Sequence, residues 1–136
     1  MIENEFNRWM NHGLEDLDLT KELYSLKETQ INDAFYRDLE FGTGGLRGII
    51  GAGTNRINIY TIAKATQGLS DYINRTFKES QRVVAISRDS RIKSDLFAKV
   101  TAGVFAANGI KVRIYEEISP VPTLSFAVRH LRCCMG

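Results

Sequence analysis

Cysteine, histidine and proline are scarce in this chain, two of each among 136 residues. The cysteines, Cys133 and Cys134, are adjacent, which offers neither a disulfide framework nor metal-ligand spacing. They are expected to be reduced and buried. His12 and His130 stand alone, so neither a zinc cluster nor a histidine-activated nucleophile shows in the sequence. Charge of one sign is also lacking: 18 basic against 16 acidic residues leave +2, with the signs interleaved along the chain. No polybasic arm therefore points to nucleic acid or an anionic membrane. Long apolar runs are missing, and the start, "MIENEFNRWMNHG", carries acids and amides where a signal peptide needs a basic start and an apolar stretch. A cytoplasmic location is the expectation, with no nucleic-acid or membrane partner.

What is present is the material of one ordinary globular domain, 43% hydrophobic and 25% charged. Phe6, Trp9 and Met10 fall at helical spacing, and Leu23, Tyr24 and Leu26 form a second apolar set behind Asp18 and Thr20 as candidate caps. Ile31, Phe35 and Leu39, four residues apart, trace one stripe that should lie on a core. In "LRGIIGAGTNRINIY" the β-branched Ile49, Ile50, Ile57 and Ile59 flank a glycine-rich break, which predicts a hairpin around "GAGTN". Beyond residue 61 helical and strand-like segments alternate. Ile62, Ala65, Leu69, Tyr72, Ile73 and Phe77 mark a helix face, and "RVVAIS" reads as a strand. After Ser94 comes a helix with Phe97, Val100 and Val104 on one side, ending at Asn108 and Gly109. "IKVRIY" is a further strand, and "SPVPT" imposes extended backbone before a helix carrying Leu124, Ala127, Val128 and Leu131. The final "CCMG" reads as the opening of another strand, cut off before completion. Such alternation predicts an α/β layer with right-handed crossovers and a mainly parallel sheet.

Two clusters carry candidate chemistry. Residues 38–60, "DLEFGTGGLRGIIGAGTNRINIY", hold six of the eleven glycines and two arginines. Bare backbone lets a ligand approach main-chain N–H groups, and a guanidinium fork matches phosphate or carboxylate. The dinucleotide fingerprint fails because Arg47, or Arg56, stands where its last glycine is needed, and no Gly-Lys-Ser/Thr closes a P-loop. A glycine-rich hairpin without a ligand remains the plain alternative, against which stand Thr43 and Arg47 inside the glycine run. The second cluster, "SRDSR" at Ser87–Arg91, follows an apolar strand, where open α/β sheets place ligands. Its plain alternative is a solvated loop in which Asp89 pairs with a neighbouring arginine and caps a turn.

The segments "FYRDLEFGTGGLRGIIGAGTNRINIYTIAKATQGLSDYI", "VVAISRDSRIKSDLFAKVTAGVFAANGIKVRIY" and "SPVPTLSFAVRHL", in this order, resemble the first domain of the α-D-phosphohexomutases, in their phosphoglucomutase/phosphomannomutase branch. The likeness covers residues 31–132, and "FGTGGLRG" is its most specific block. It implies a three-layer α/β/α domain with a mainly parallel mixed sheet over residues 41–136, behind a helical lead-in over residues 1–40. It implies interconversion of hexose 1-phosphate and 6-phosphate through a phosphoserine and a bisphosphate intermediate, with Mg²⁺ as cofactor and glucose 1,6-bisphosphate as activator. Arg47 would contact phosphate near the phosphoserine, with Thr43, Gly44 and Gly45 closing the loop backbone on it. Arg88 is a further candidate for phosphate binding, and Arg91 is expected to brace the domain.

The same resemblance implies a departure. The family continues from the position of "AVRHLRCC" through a strand into Thr-Ala-Ser-His-Asn-Pro, which carries the nucleophile, and these 136 residues hold no such motif. The metal, sugar and last phosphate loops would also lie in other domains, so no metal ligand is expected here. The chain is thus expected to be the first domain of a longer mutase, truncated before its catalytic strand and inactive alone, its partners a sugar phosphate and the remaining domains. A stand-alone phosphate-binding module and a piece of a phosphopentomutase are the alternatives.

Overall fold

The computed structural model describes residues 1–136, which form two compact units, Met1–Thr61 and Ile62–Gly136. The first unit contains helices α1 (Ile2–Asn11), α2 (Leu17–Ser25) and α3 (Glu28–Phe35), then two short strands, β1 (Phe41–Gly42) and β2 (Gly45–Leu46). Its core gathers Trp9, Leu19, Leu23, Ala34, Phe35 and Ala52. Trp9 meets Phe35 and Tyr60 edge-on, each at 5.5 Å between ring centroids, a geometry that sets the positive ring edge against the negative face. Helix α2 starts before the expected caps, so Asp18 and Thr20 lie inside it. Asp16 is its cap, accepting from the N–H groups of Asp18 and Leu19 at 3.0 and 3.1 Å, and its carboxylate suits the positive end of the helix dipole. The expected stripe keeps Ile31 and Phe35 inside α3, while Leu39 lies past the helix end, outside any helix or strand.

The glycine-rich run departs from the expected hairpin. Antiparallel pairing occurs upstream, between Phe41 and Leu46 and between Gly42 and Gly45. Ile50 and Ile57 meet instead in a single parallel bridge, so "GAGTN" belongs to a closed loop. Ile59 is the first residue of helix α4 (Ile59–Thr76) and not part of a strand.

In the second unit, beyond a 3-10 turn at Glu79–Gln81, strand β3 (Val83–Ile86), helix α5 (Ser94–Ala107), strand β4 (Lys111–Ile114) and helix α6 (Val121–His130) alternate as expected. The fold class is α/β. β3 runs parallel to β4, with Val83 opposite Lys111 and Ile86 opposite Ile114. On its other edge β3 receives the segment at Cys134 and Met135, through Cys134 N–H to Val83 at 2.8 Å and Ala85 N–H to the Met135 carbonyl at 3.0 Å. That arrangement bears out the reading of "CCMG" as a strand opening. Ile73, Val84, Phe105 and Ile110 form the core of this unit.

Two expected faces shift. On α4 the buried residues are Thr66, Ser70 and Ile73, whereas Leu69 and Tyr72 are 37% and 48% exposed. On α5 Ala98 and Phe105 are buried, and Phe97, Val100 and Val104 only partly so. Leu131 ends α6 as its cap and is 45% exposed.

Candidate functional site

The hairpin brings Thr43, Gly44, Gly45 and Arg47 together, all of them exposed. Thr43 and Gly44 form the two-residue loop, and Gly45 takes φ +96°, a conformation that glycine adopts without steric cost. A Cβ placed on Gly44 would lie 2.5 Å from an Nη of Arg47 and 2.9 Å from its Cζ. The guanidinium therefore rests across bare backbone. An added methyl would displace the end of a flexible side chain, so glycine here decides where the arginine fork sits more than whether the hairpin forms. The product is a charged fork beside main chain on an exposed turn, an arrangement suited to an anion.

Beneath the hairpin lies the loop from Gly51 to Asn58, whose Ala52, Thr54 and Asn58 are buried. Gly53 has φ +132°, and a Cβ there would stand 2.5 Å from the Ala34 carbonyl oxygen, a backbone atom that cannot easily yield. Asn58 is the functional candidate that sequence reasoning passed over. Its amide nitrogen donates to the carbonyls of Gly51 and Gly53 at 2.8 and 3.0 Å, and its Oδ1 accepts from the N–H groups of Tyr60 and Thr61 at 3.1 and 3.0 Å. These partners fix the amide orientation, since a flip would oppose donors to donors and acceptors to acceptors. The signal was legible. An asparagine directly before an apolar helical pattern, with a hydroxyl at Thr61 three residues on, is an N-cap signature, and the Asn58 N–H does reach Thr61 Oγ1 at 3.0 Å. Arg56 is committed elsewhere: it is ion-paired with Asp33 and donates to the Asn55 carbonyl at 3.0 Å.

Arg88 belongs to the second unit. Its guanidinium donates to the Glu116 carbonyl at 3.2 Å, and its own carbonyl accepts from Ser119 N–H at 3.1 Å, so it ties the loop after β3 to the loop after β4. Arg91 lies 3.2 Å from the Asp89 carboxylate, which also accepts from the Arg91 N–H at 3.0 Å. That backbone hydrogen bond holds the Asp89 carboxyl below its ordinary value of 3.8. The plain reading of this loop, Asp89 pairing locally and capping a turn, is therefore what the geometry displays. Cys133 and Cys134 are free thiols as expected, but half-buried and not fully enclosed, because they sit at the edge of β3. Partial burial, with the neighbouring Cys134 adding to it, pushes the Cys133 thiol up. No group of three or more His, Cys, Asp or Glu side chains converges to hold a metal ion, and no helix is long and apolar enough to cross a membrane.

The sequence pattern of "Phosphoglucomutase/phosphomannomutase, alpha/beta/alpha domain I" matches residues 38–136. A phosphopentomutase of Mus musculus is 33% identical over 136 residues, covering 95% of this chain and 22% of that protein. A phosphoglucomutase of Staphylococcus saprophyticus is 38% identical over 119 residues, 87% of this chain and 21% of its own length. A probable phosphoribomutase of Schizosaccharomyces pombe is 39% identical over 97 residues, 71% of this chain and 16% of its own. The chain thus spans about a fifth of the length of the curated relatives it matches. No solved structure matches it.

Proposed function

Because the chain belongs to the phosphoglucomutase/phosphomannomutase family through its first domain, we propose that it supplies the phosphate-stabilising hairpin of a cytoplasmic phosphosugar mutase. The reaction proposed for the complete enzyme exchanges sugar 1-phosphate and 6-phosphate through a phosphoserine and a bisphosphorylated intermediate. One observation carries the proposal: the Arg47 guanidinium lies over the bare backbone of Gly44 on an exposed turn. Phosphoryl transfer asks little covalent chemistry of a protein beyond positioning and stabilising charge on the moving group. A planar fork with several N–H donors can bind two phosphate oxygens at once, and Thr43, Gly44 and Gly45 leave that approach open. Arg88, which braces two loops, is proposed to act on phosphate only indirectly, by holding the end of β3.

The nucleophile is not among these residues, none of whose serines stands in a Ser-His-Asn-Pro setting. The magnesium that the family implies has no converging ligand set here either. The Mg²⁺ would accordingly be held outside these residues, and glucose 1,6-bisphosphate would act on the complete enzyme. A pentose phosphate is a second substrate reading, favoured by relatives named phosphopentomutase and phosphoribomutase.

In a complete mutase carrying this first domain, Arg47→Ala should remove charge-assisted hydrogen bonds worth about 1.5–3 kcal/mol, roughly a tenfold to hundredfold fall in kcat. Arg47→Lys should restore only part of it, because a point charge cannot make a two-pronged contact. Steady-state kinetics of both variants decide the matter. Unchanged turnover in Arg47→Ala would remove Arg47 from the chemistry.

A further inference from the structure

The hairpin that carries Arg47 has two feet, and both rest on the loop held by Asn58. On the entering side the Leu39 N–H donates to the Thr54 carbonyl at 2.9 Å, and the Thr54 hydroxyl donates to the Arg37 carbonyl at 2.8 Å. On the leaving side the Ile57 N–H donates to the Ile49 carbonyl at 2.8 Å, and the Gly51 N–H to the Ile57 carbonyl at 3.1 Å. Between these feet the loop carbonyls of Gly51 and Gly53 would be left with no partner if the Asn58 amide did not reach both. Asn58 is only 2% exposed, so water cannot readily take its place. Its other end caps α4, which couples the loop to the helix that follows. A cap alone needs one acceptor, and serine, threonine or aspartate would provide it. The two donor bonds exceed what capping requires.

We infer that Asn58 is a positioning residue, whose amide clamps the loop from Gly51 to Gly53 and thereby sets where the hairpin holds the Arg47 fork. The inference rests on the reading of Arg47 as a phosphate ligand for its consequence in catalysis, but not for the clamp itself. Asn58→Asp separates the two roles of the side chain. The carboxylate keeps the acceptor for Tyr60 and Thr61, yet turns an anion toward two carbonyl oxygens and so releases the loop.

Amide hydrogen exchange on the unliganded chain reads the clamp. Asn58→Asp should speed exchange at Leu39 and Ile57 about tenfold or more while Tyr60 and Thr61 stay protected. The amide resonances of Gly44 and Gly45 should move as well. Unchanged exchange at Leu39 and Ile57 would overturn the inference. Should the variant fail to fold, exchange on the unaltered chain still tests it. The Leu39 and Ile57 amides should then open together, and protection differing by more than about tenfold would show that the feet do not share one support.

The catalytic consequence is read in a complete mutase carrying this domain. Asn58→Asp should lower kcat by about tenfold to a hundredfold with little change in KM, as a misplaced stabiliser would. In an Arg47→Ala background the same substitution should cost little, since nothing is left to misplace. An equal loss in both backgrounds would refute positioning through Arg47. If Arg47→Ala itself turned out to be silent, the phosphate reading would fall, while the exchange result would still decide the clamp.

Discussion

At the residue scale, two glycines in different settings make opposite demands. Gly53 combines φ +132° with a Cβ position 2.5 Å from the Ala34 carbonyl oxygen, so Gly53→Ala strains its own backbone and pushes on the end of α3. We expect it to lower stability by about 2 kcal/mol or more. Gly68 sits inside α4 with nothing within 4 Å of its would-be Cβ. Gly68→Ala should raise stability by about 0.5–1 kcal/mol, because alanine narrows the unfolded ensemble and favours helix. Urea titration of the two variants beside the parent chain reads both signs, and equal midpoints for all three would contradict the assignment. Glycine count alone could not separate these cases. The sequence shows that "FGTGGLRG" and "GAGTN" are rich in glycine, but only the fold distinguishes a residue facing a carbonyl from one facing solvent. Asn58 was overlooked for a related reason: the β-branched Ile57 and Ile59 around it look like strand, while its side chain makes the loop and starts a helix.

At the element scale, the compact apolar run "VVAI" located β3, whose Val84 and Ala85 are buried, whereas β4 alternates charged and β-branched residues and is mostly exposed. Helix faces were less legible. Apolar spacing on α4 rightly includes the buried Ile73 but also points to Leu69 and Tyr72, in whose place the packed face uses Thr66 and Ser70. The hydroxyls of Thr66 and Ser70 satisfy themselves on carbonyls one turn back, at Ile62 and Thr66, each at 2.8 Å. Small residues satisfied in this way can face a tight interior, and a count of apolar positions does not register them. Ile73→Ala, which truncates a side chain with 0% exposure, should cost about 2–5 kcal/mol, whereas Leu69→Ala should cost less than about 1 kcal/mol. Chemical denaturation of each variant checks the ordering. A larger loss at Leu69 would return the buried face to the one that apolar spacing points to.

At the scale of the whole molecule, the proposed function gives this chain a phosphate-stabilising hairpin and assigns the attacking group to residues outside these 136. The 136 residues hold the hairpin of Arg47 and the braced loop of Arg88, but no Ser-His-Asn-Pro and no converging metal ligands. Assayed as these residues alone, the chain should not interconvert glucose 1-phosphate and glucose 6-phosphate. It should also gain no phosphoryl group from glucose 1,6-bisphosphate and Mg²⁺ by intact-mass spectrometry, and a stoichiometric gain would reveal another nucleophile. On the proposed function binding, unlike turnover, would need only the hairpin. The most direct measurement is therefore a titration of the ¹⁵N-labelled chain with glucose 1,6-bisphosphate, following the amides of Thr43, Gly44 and Gly45 and the side-chain Nε–H of Arg47. Saturable shifts confined to that hairpin are expected, weakened about tenfold or more in Arg47→Ala. Shifts that avoid the hairpin, or that persist unchanged in Arg47→Ala, would contradict the proposed function.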